Sequence, residues 1–182
     1  MSGKSKLDAG RNWPHWMIGF WISLCALLQV AGWGLSAVGQ LNAAGYAGVL
    51  GAAAVVAILF YRNRIAALRL SALGLRKLVR RFHRLWPLTF LLIAGLITLG
   101  AMLHPPNNYD ALSYRIPRVL NWLAENRWHW IHTQDARMNV RACGNEWLLA
   151  PLLALTGTDR WIFIINLISY LLIPSLLFGV YT

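Results

Sequence analysis

The sequence predicts an all-α, polytopic membrane protein: four transmembrane helices and one long external loop carrying juxtamembrane helices. Three observations predict it. Of 182 residues, 58% are hydrophobic and 13% are charged, with a mean hydropathy of +0.49. A soluble domain of this size has no interior able to hide so much apolar surface, so lipid must solvate part of it. No Asp, Glu, Lys or Arg occurs from Asn12 to Tyr61, which suffices for two crossings at about 20 residues each. Five of the six carboxylates, Asp110, Glu125, Asp135, Glu146 and Asp159, fall in one polar block, 104–160, between apolar stretches.

The first two spans, expected at Trp16–Val38 and Ala43–Tyr61, form an antiparallel hairpin broken at Gly39-Gln40-Leu41-Asn42, where Gly and polar residues mark a turn. The first exceeds the roughly 7–15 apolar residues of a cleaved signal, and a second span follows at once, so it reads as a retained anchor. Residues 62–84 are strongly basic and free of acids. There Ile65, Leu68, Ala72, Leu75, Val79 and Phe82 recur at helical spacing, the pattern of an amphipathic helix on the inner leaflet. A third span is expected from Leu85 to Leu103 and a fourth from Trp161 to Tyr181. The chain thus divides into a tail and hairpin (1–61), a basic loop (62–84) and a span–loop–span unit (85–182).

Lys and Arg in short loops set orientation. The basic loop is expected to be cytoplasmic, as is the N-terminus with Lys4, Lys6 and Arg11. The 39–42 turn and the 104–160 block then lie outside. The net charge of +11 sits beside the spans, where it suits anionic lipid and argues against nucleic acid. Cys25 lies mid-span and Cys143 in the polar block, a poor geometry for a disulfide. Trp13, Trp16, Trp86 and Trp161 fall at span ends, as headgroup-level rings do. Trp122, Trp128, Trp130 and Trp147 are expected on the outer leaflet, with stacking on a sugar ring as the alternative.

Within the block, Asn108 is a fitting N-cap, with Tyr109 and Asp110 in the first turn. Helical steps from Asp110 reach Tyr114, Arg118, Asn121 and Glu125, one polar face expected to look into a cleft. Ile116, Leu120 and Leu123 point elsewhere. Pro117 lacks an N–H and is expected to kink or loosen the turn before it. His129, His132 and Asp135 have the residue types of a metal site, but lie in irregular sequence and are read as binding none. Gly144-Asn145-Glu146 opens a second helix, Trp147–Leu155, too short to cross and expected to be interfacial or re-entrant. Thr156-Gly157-Thr158 ends it. No CxxC, HExxH, GxSxG or phosphate-loop pattern occurs, and no cofactor is implied.

The order of these pieces is a span, PPNNYDALSYRIPRVLNWLAENRWHW, a loop with HTQDARMN, GNEWLLAPLLALTG, and a span opening TDRWIFIIN. It resembles the first membrane unit and first external loop of GT-C glycosyltransferases. More narrowly, it is similar to bacterial family-39-like (dolichyl-phosphate-mannose mannosyltransferase-like) membrane proteins, over roughly residues 87–182. The hairpin and basic loop are additions to the usual start. The resemblance implies an inner-membrane enzyme that takes a sugar from a polyprenyl phosphate and delivers it on the external face to an acceptor glycan, lipid or protein. It implies that Asp110 is the catalytic base. Family members often place a second acid beside it; here Ala111 follows, and Glu146 is the candidate replacement.

The chemistry of the residues agrees. A carboxylate within hydrogen-bond reach can take the proton of an attacking hydroxyl. Arginine forks hold a leaving lipid phosphate. Arg115, Arg118, Arg137 and Arg141 are the candidates, with Tyr114 and Glu146 as further substrate contacts. The alternative for these arginines is ion pairing with Asp110, Glu125 and Glu146. Family members carry more spans, so this chain is expected to hold the catalytic loop without being a complete enzyme. A non-catalytic scaffold or assembly subunit is the competing function, separable by whether lipid-phosphate binding depends on Arg115 or Arg118. A transporter would carry ionisable groups within its spans, and these spans hold none.

Overall fold

The computed structural model describes residues 13–65 and 85–181. The cytoplasmic tail and nearly all of the basic amphipathic loop expected from the sequence lie outside the described residues. Within them the chain is helical, with no strand. Three helices are long and apolar enough to cross a membrane: α1 (Trp13–Ala37), α2 (Ala43–Ile65) and α3 (Leu85–Leu103). Helix α2 runs past the expected end at Tyr61 and takes in Arg62 and Arg64. The charges end the apolar stretch, yet nothing in that sequence breaks a helix. A π-helical turn (Ala111–Arg115) leads into α4 (Ile116–Ala124), followed by α5 (Arg137–Val140) and α6 (Gly144–Thr156). A 3-10 turn (Asp159–Trp161) then leads into α7 (Phe163–Tyr181).

The long helices pack in a row, α2 on α1, α1 on α7 and α7 on α3. Phe90 of α3 stacks on Tyr170 of α7 with ring centroids 4.8 Å apart. Their flanks are otherwise open. Phe20, Val30, Phe60, Leu92 and Leu96 are all exposed, as expected of surface meant for lipid tails.

The packed core lies instead at one end of the row. There Leu35, Leu41 and Tyr46 of the hairpin meet Val119, Trp122 and Trp147 of the polar block. Trp122 and Trp147 are 2% and 1% exposed and stack at 4.8 Å. The expectation that these two rings rest on the outer leaflet is therefore corrected. Gly32 explains the difference: a Cβ there would run into the Trp147 ring and the Tyr46 hydroxyl, so its absence lets the indole seat against α1. Trp128 and Trp130 remain exposed.

Hydrogen bonds close the same joint. Leu41 N–H donates to the Asn126 carbonyl at 2.8 Å, Asn42 Nδ2 donates to Asn126 Oδ1 at 2.9 Å, and Trp128 N–H donates to Ser36 Oγ at 2.7 Å. Asn126 stands at φ 56°, a left-handed conformation that Asn tolerates better than most residues. The hairpin turn and the polar block thus share one end of the molecule.

Helix α6 has 13 residues, about 20 Å of rise against the roughly 30 Å of a bilayer core. It does not lie bare on a surface. It buries Glu146, Trp147, Leu149, Ala150, Pro151 and Leu153 against α1, α2 and α4. It stops at Gly157, whose φ of 65° and N–H to the Leu153 carbonyl at 3.0 Å make a left-handed C-cap.

Candidate functional site

The site grows out of the end of α3. After His104 and the two prolines, Asn108 Oδ1 accepts the Ala111 N–H at 2.7 Å and caps the next helix. Asp110 sits in the first turn with its side chain exposed. Ile116 N–H then reaches back five residues to the Ala111 carbonyl, so the turn is π-helical. Pro117 supplies the cause, since it offers no N–H and its ring crowds the carbonyl one turn earlier.

This extra residue in the turn rotates the downstream helix by about 100°. The expected polar face is split by it, and that expectation is corrected. Tyr114 and Arg118 go inward with Trp122, while Asn121 and Glu125 stay exposed. Ile116 is buried, and Leu120 is exposed.

Arg118 is 1% exposed, as is Glu146. Its Nη1 donates to Glu146 Oε1 at 3.4 Å and to the Arg141 carbonyl at 3.1 Å, and its Nη2 donates to the Arg137 carbonyl. Burial pushes the Glu146 carboxyl up from its ordinary range, opposed by the nearby Arg118 and Arg115 cations. Arg118 therefore ties α4 to α5 and α6; its Nε has no partner among the described residues, but it is buried and out of reach of a solvent-borne anion. Arg137 forks onto Asp135, with Nε to Oδ1 at 3.0 Å and Nη2 to Oδ2 at 3.0 Å, and also donates to the Tyr109 hydroxyl at 3.0 Å. That fork holds the Asp135 carboxyl below the usual range. Arg141 is exposed. Tyr114 is buried, with the guanidinium carbons of Arg118, Arg115 and Arg137 at 5.5, 5.8 and 5.8 Å from its ring centroid.

Beside this packed layer lies a cleft of about 640 Å³. Its walls come from the end of α3 (Gly100, Ala101, His104), the loop 105–110, Arg115 and Ile116, Asn145 and Leu149 of α6, the Asp159–Arg160 turn, and the start of α7 (Ile162, Phe163, Asn166). Asp110 and Arg115 share it; Tyr114, Arg118, Arg137, Arg141 and Glu146 are not among its walls. Arg115 Nε donates to the Tyr114 hydroxyl at 3.4 Å, and that bond, reinforced by the Glu146 and Asp110 charges, strengthens its hold on its proton. Arg115 forms no ion pair among the described residues.

The cleft also contains Asp159, Arg160, Asn145 and Asn166, none of which the sequence singled out as a site residue. Arg160 did carry a signal, as an arginine in the block that the charge rule expects outside, where that rule disfavours one. Asn166 carried another, as an amide near the start of an apolar helix. Among the described residues no group of three or more His, Cys, Asp and Glu is placed to hold a metal ion.

Fold and site together define a helical membrane protein whose spans end in a packed aromatic layer and an open, charged cleft. Compared with family models, with curated proteins and with solved structures, the chain matches none.

Proposed function

We propose that this chain is a membrane glycosyltransferase module that moves a sugar from a polyprenyl-phosphate carrier to an acceptor hydroxyl on the external membrane face. The observation that carries the reading is one cleft with an exposed carboxylate, Asp110, and two guanidinium groups, Arg115 and Arg160, at the end of an apolar span. In this reading α7 is the fourth crossing, the N-terminus is cytoplasmic, and the block 104–160 faces outward in a bacterial inner membrane.

The division of labour follows from charge. The Asp110 carboxylate accepts the proton of the acceptor hydroxyl as its oxygen attacks the anomeric carbon. The bond from that carbon to the carrier phosphate breaks, and the bond to the acceptor oxygen forms from the opposite face, inverting the centre. The departing phosphate gains charge during this step, where the fixed cations of Arg115 and Arg160 hold it better than they hold the intact donor. Tyr114 supports Arg115 from beneath. Arg118 and Glu146 serve by packing the layer on which the cleft rests.

The test is sugar transfer from a polyprenyl-phosphate donor by membranes carrying the chain joined to the further spans that the resemblance implies, as wild type or as Asp110→Asn. The expected loss is about 10²–10⁴-fold, the usual contribution of a general base, with unfolding unchanged. A well-folded Asp110→Asn protein with near-normal turnover would overturn the assignment.

A further inference from the structure

The cleft reaches down between two long helices, and the polar side chain on α7 that lines it, Asn166, is exposed and has no hydrogen-bond partner among the described residues. Helix α7 is apolar around Asn166, Ser169 and Tyr170. Ser169 satisfies itself by donating to the Ile165 carbonyl at 2.9 Å, and Tyr170 stacks on Phe90. Asn166 makes no side-chain hydrogen bond among the described residues and lines the cleft. An amide costs little in water but has no reason to persist against hydrocarbon unless something there bonds to it.

Its depth is informative. Asn166 lies about one helical turn into α7, and Gly100 of the opposite wall lies about one turn inside the end of α3. A Cβ placed at Gly100 meets nothing within 4 Å, so that wall is open space. Further from the cleft the two helices close on each other at Phe90 and Tyr170. The cleft thus has a charged upper part, with Asp110, Arg115, Asp159 and Arg160, and a lower part of Gly100, Phe163 and Asn166 between apolar helices.

We infer that Asn166 is a ligand contact: its amide bonds the polar atom that joins the charged head of an amphiphile to its apolar tail, and the tail leaves between α3 and α7 past Gly100. The inference rests on the proposed reading of the cleft and adds to it the residue that distinguishes a lipid-borne phosphate from a free one. A free phosphate needs only the arginines. A phosphate ester on a long apolar chain also needs a partner for its ester oxygen at the depth where water ends.

The experiment is binding of farnesyl phosphate and of inorganic phosphate to the purified full chain in lipid nanodiscs. Asn166→Leu should weaken farnesyl phosphate about tenfold, the typical worth of one hydrogen bond in a dry place, and leave inorganic phosphate unchanged. Asn166→Gln, which keeps an amide, should recover most of the loss. Gly100→Leu should weaken farnesyl phosphate more than tenfold by filling the gap, again sparing inorganic phosphate. A packing role for Asn166 would instead lower the melting temperature and weaken both probes in parallel, and that result overturns the inference. So does wild-type affinity for farnesyl phosphate in Asn166→Leu, or no binding of farnesyl phosphate by the wild type. Failure of the transferase reading is separate: it appears as unimpaired transfer in a well-folded Asp110→Asn protein, whatever Asn166 does to farnesyl phosphate binding.

Discussion

Arg115 and Arg118 sit on neighbouring turns of one short segment and meet opposite fates. Arg118 is sealed in the aromatic layer, its guanidinium shared between Glu146 and two backbone carbonyls. Arg115 leans on the Tyr114 hydroxyl and faces the cleft with no carboxylate paired to it among the described residues. The same residue type thus serves as a structural pin in one region and as a free cation in the other. Burial makes the difference: a buried guanidinium needs partners within the protein, whereas one at a wet cleft can wait for a ligand. The two nearest carboxylates divide likewise, Glu146 buried and Asp110 exposed.

The strongest way to break the comparison is to remove each arginine in turn. Arg118→Met leaves Glu146 buried without a counter-charge and orphans the Arg137 and Arg141 carbonyls, and should cost about 3–5 kcal/mol of stability by denaturant unfolding in detergent. Adding Glu146→Leu should recover a large part of that loss, since the uncompensated charge goes with it. A double variant as unstable as the single would mean that the carbonyl ties, not the ion pair, carry the region. Arg115→Met should change stability by no more than about 0.5 kcal/mol while weakening phosphate binding at the cleft.

The joint between hairpin and block sharpens the packed side of the comparison. Gly32→Val places a Cβ against the Trp147 ring, and overpacking of this kind costs about 1–3 kcal/mol. The melting temperature should fall while the cleft, whose walls include neither Gly32 nor Trp147, keeps its phosphate affinity. Equal stability would show that α1 and the block do not meet as closely as the stacked rings imply.

Acidity gives the smallest and most diagnostic effect. Glu146 has a raised pKa in the fold, so protonation favours the folded state there. The cost of its buried charge is present above the raised value and is relieved as pH falls through it, in a window starting above the ordinary Glu range of about 4.3. Asp135 has the opposite sign. Its depressed pKa contributes stability that is present above the ordinary Asp range of about 3.9 and is lost as pH falls through the lower folded value. Melting temperature against pH should therefore lose its upper acid slope in Glu146→Gln and its lower one in Asp135→Asn. Slopes that survive both substitutions belong to other groups.

Much of this was open to reading along the chain. Helix α3 runs from Leu85 to Leu103 as its apolar stretch predicts, and the hairpin breaks where Gly39 takes a left-handed φ of 67°. Asn108 caps its helix, and Pro117 loosens the turn before it. Each of these depends on residues within a few positions of one another. What escaped was the side on which each polar group ended. One extra residue in the π turn moved Arg118 from the expected cleft face to the core, and helical spacing alone does not count such a residue.

The sequence by itself determined where apolar helices start and stop, where the chain turns, and that its carboxylates gather in one block. Hydropathy, capping and proline sterics are local and need no knowledge of the fold. Only the tertiary structure decided that Arg118 meets Glu146 across 28 residues, that Trp147 rests on Gly32, and that Asp110 shares a cleft with Arg160 and Asn166. Those pairings depend on which surfaces the packed helices bring together, and identical side chains separate into pins and free ligands by the dielectric that each one finds there.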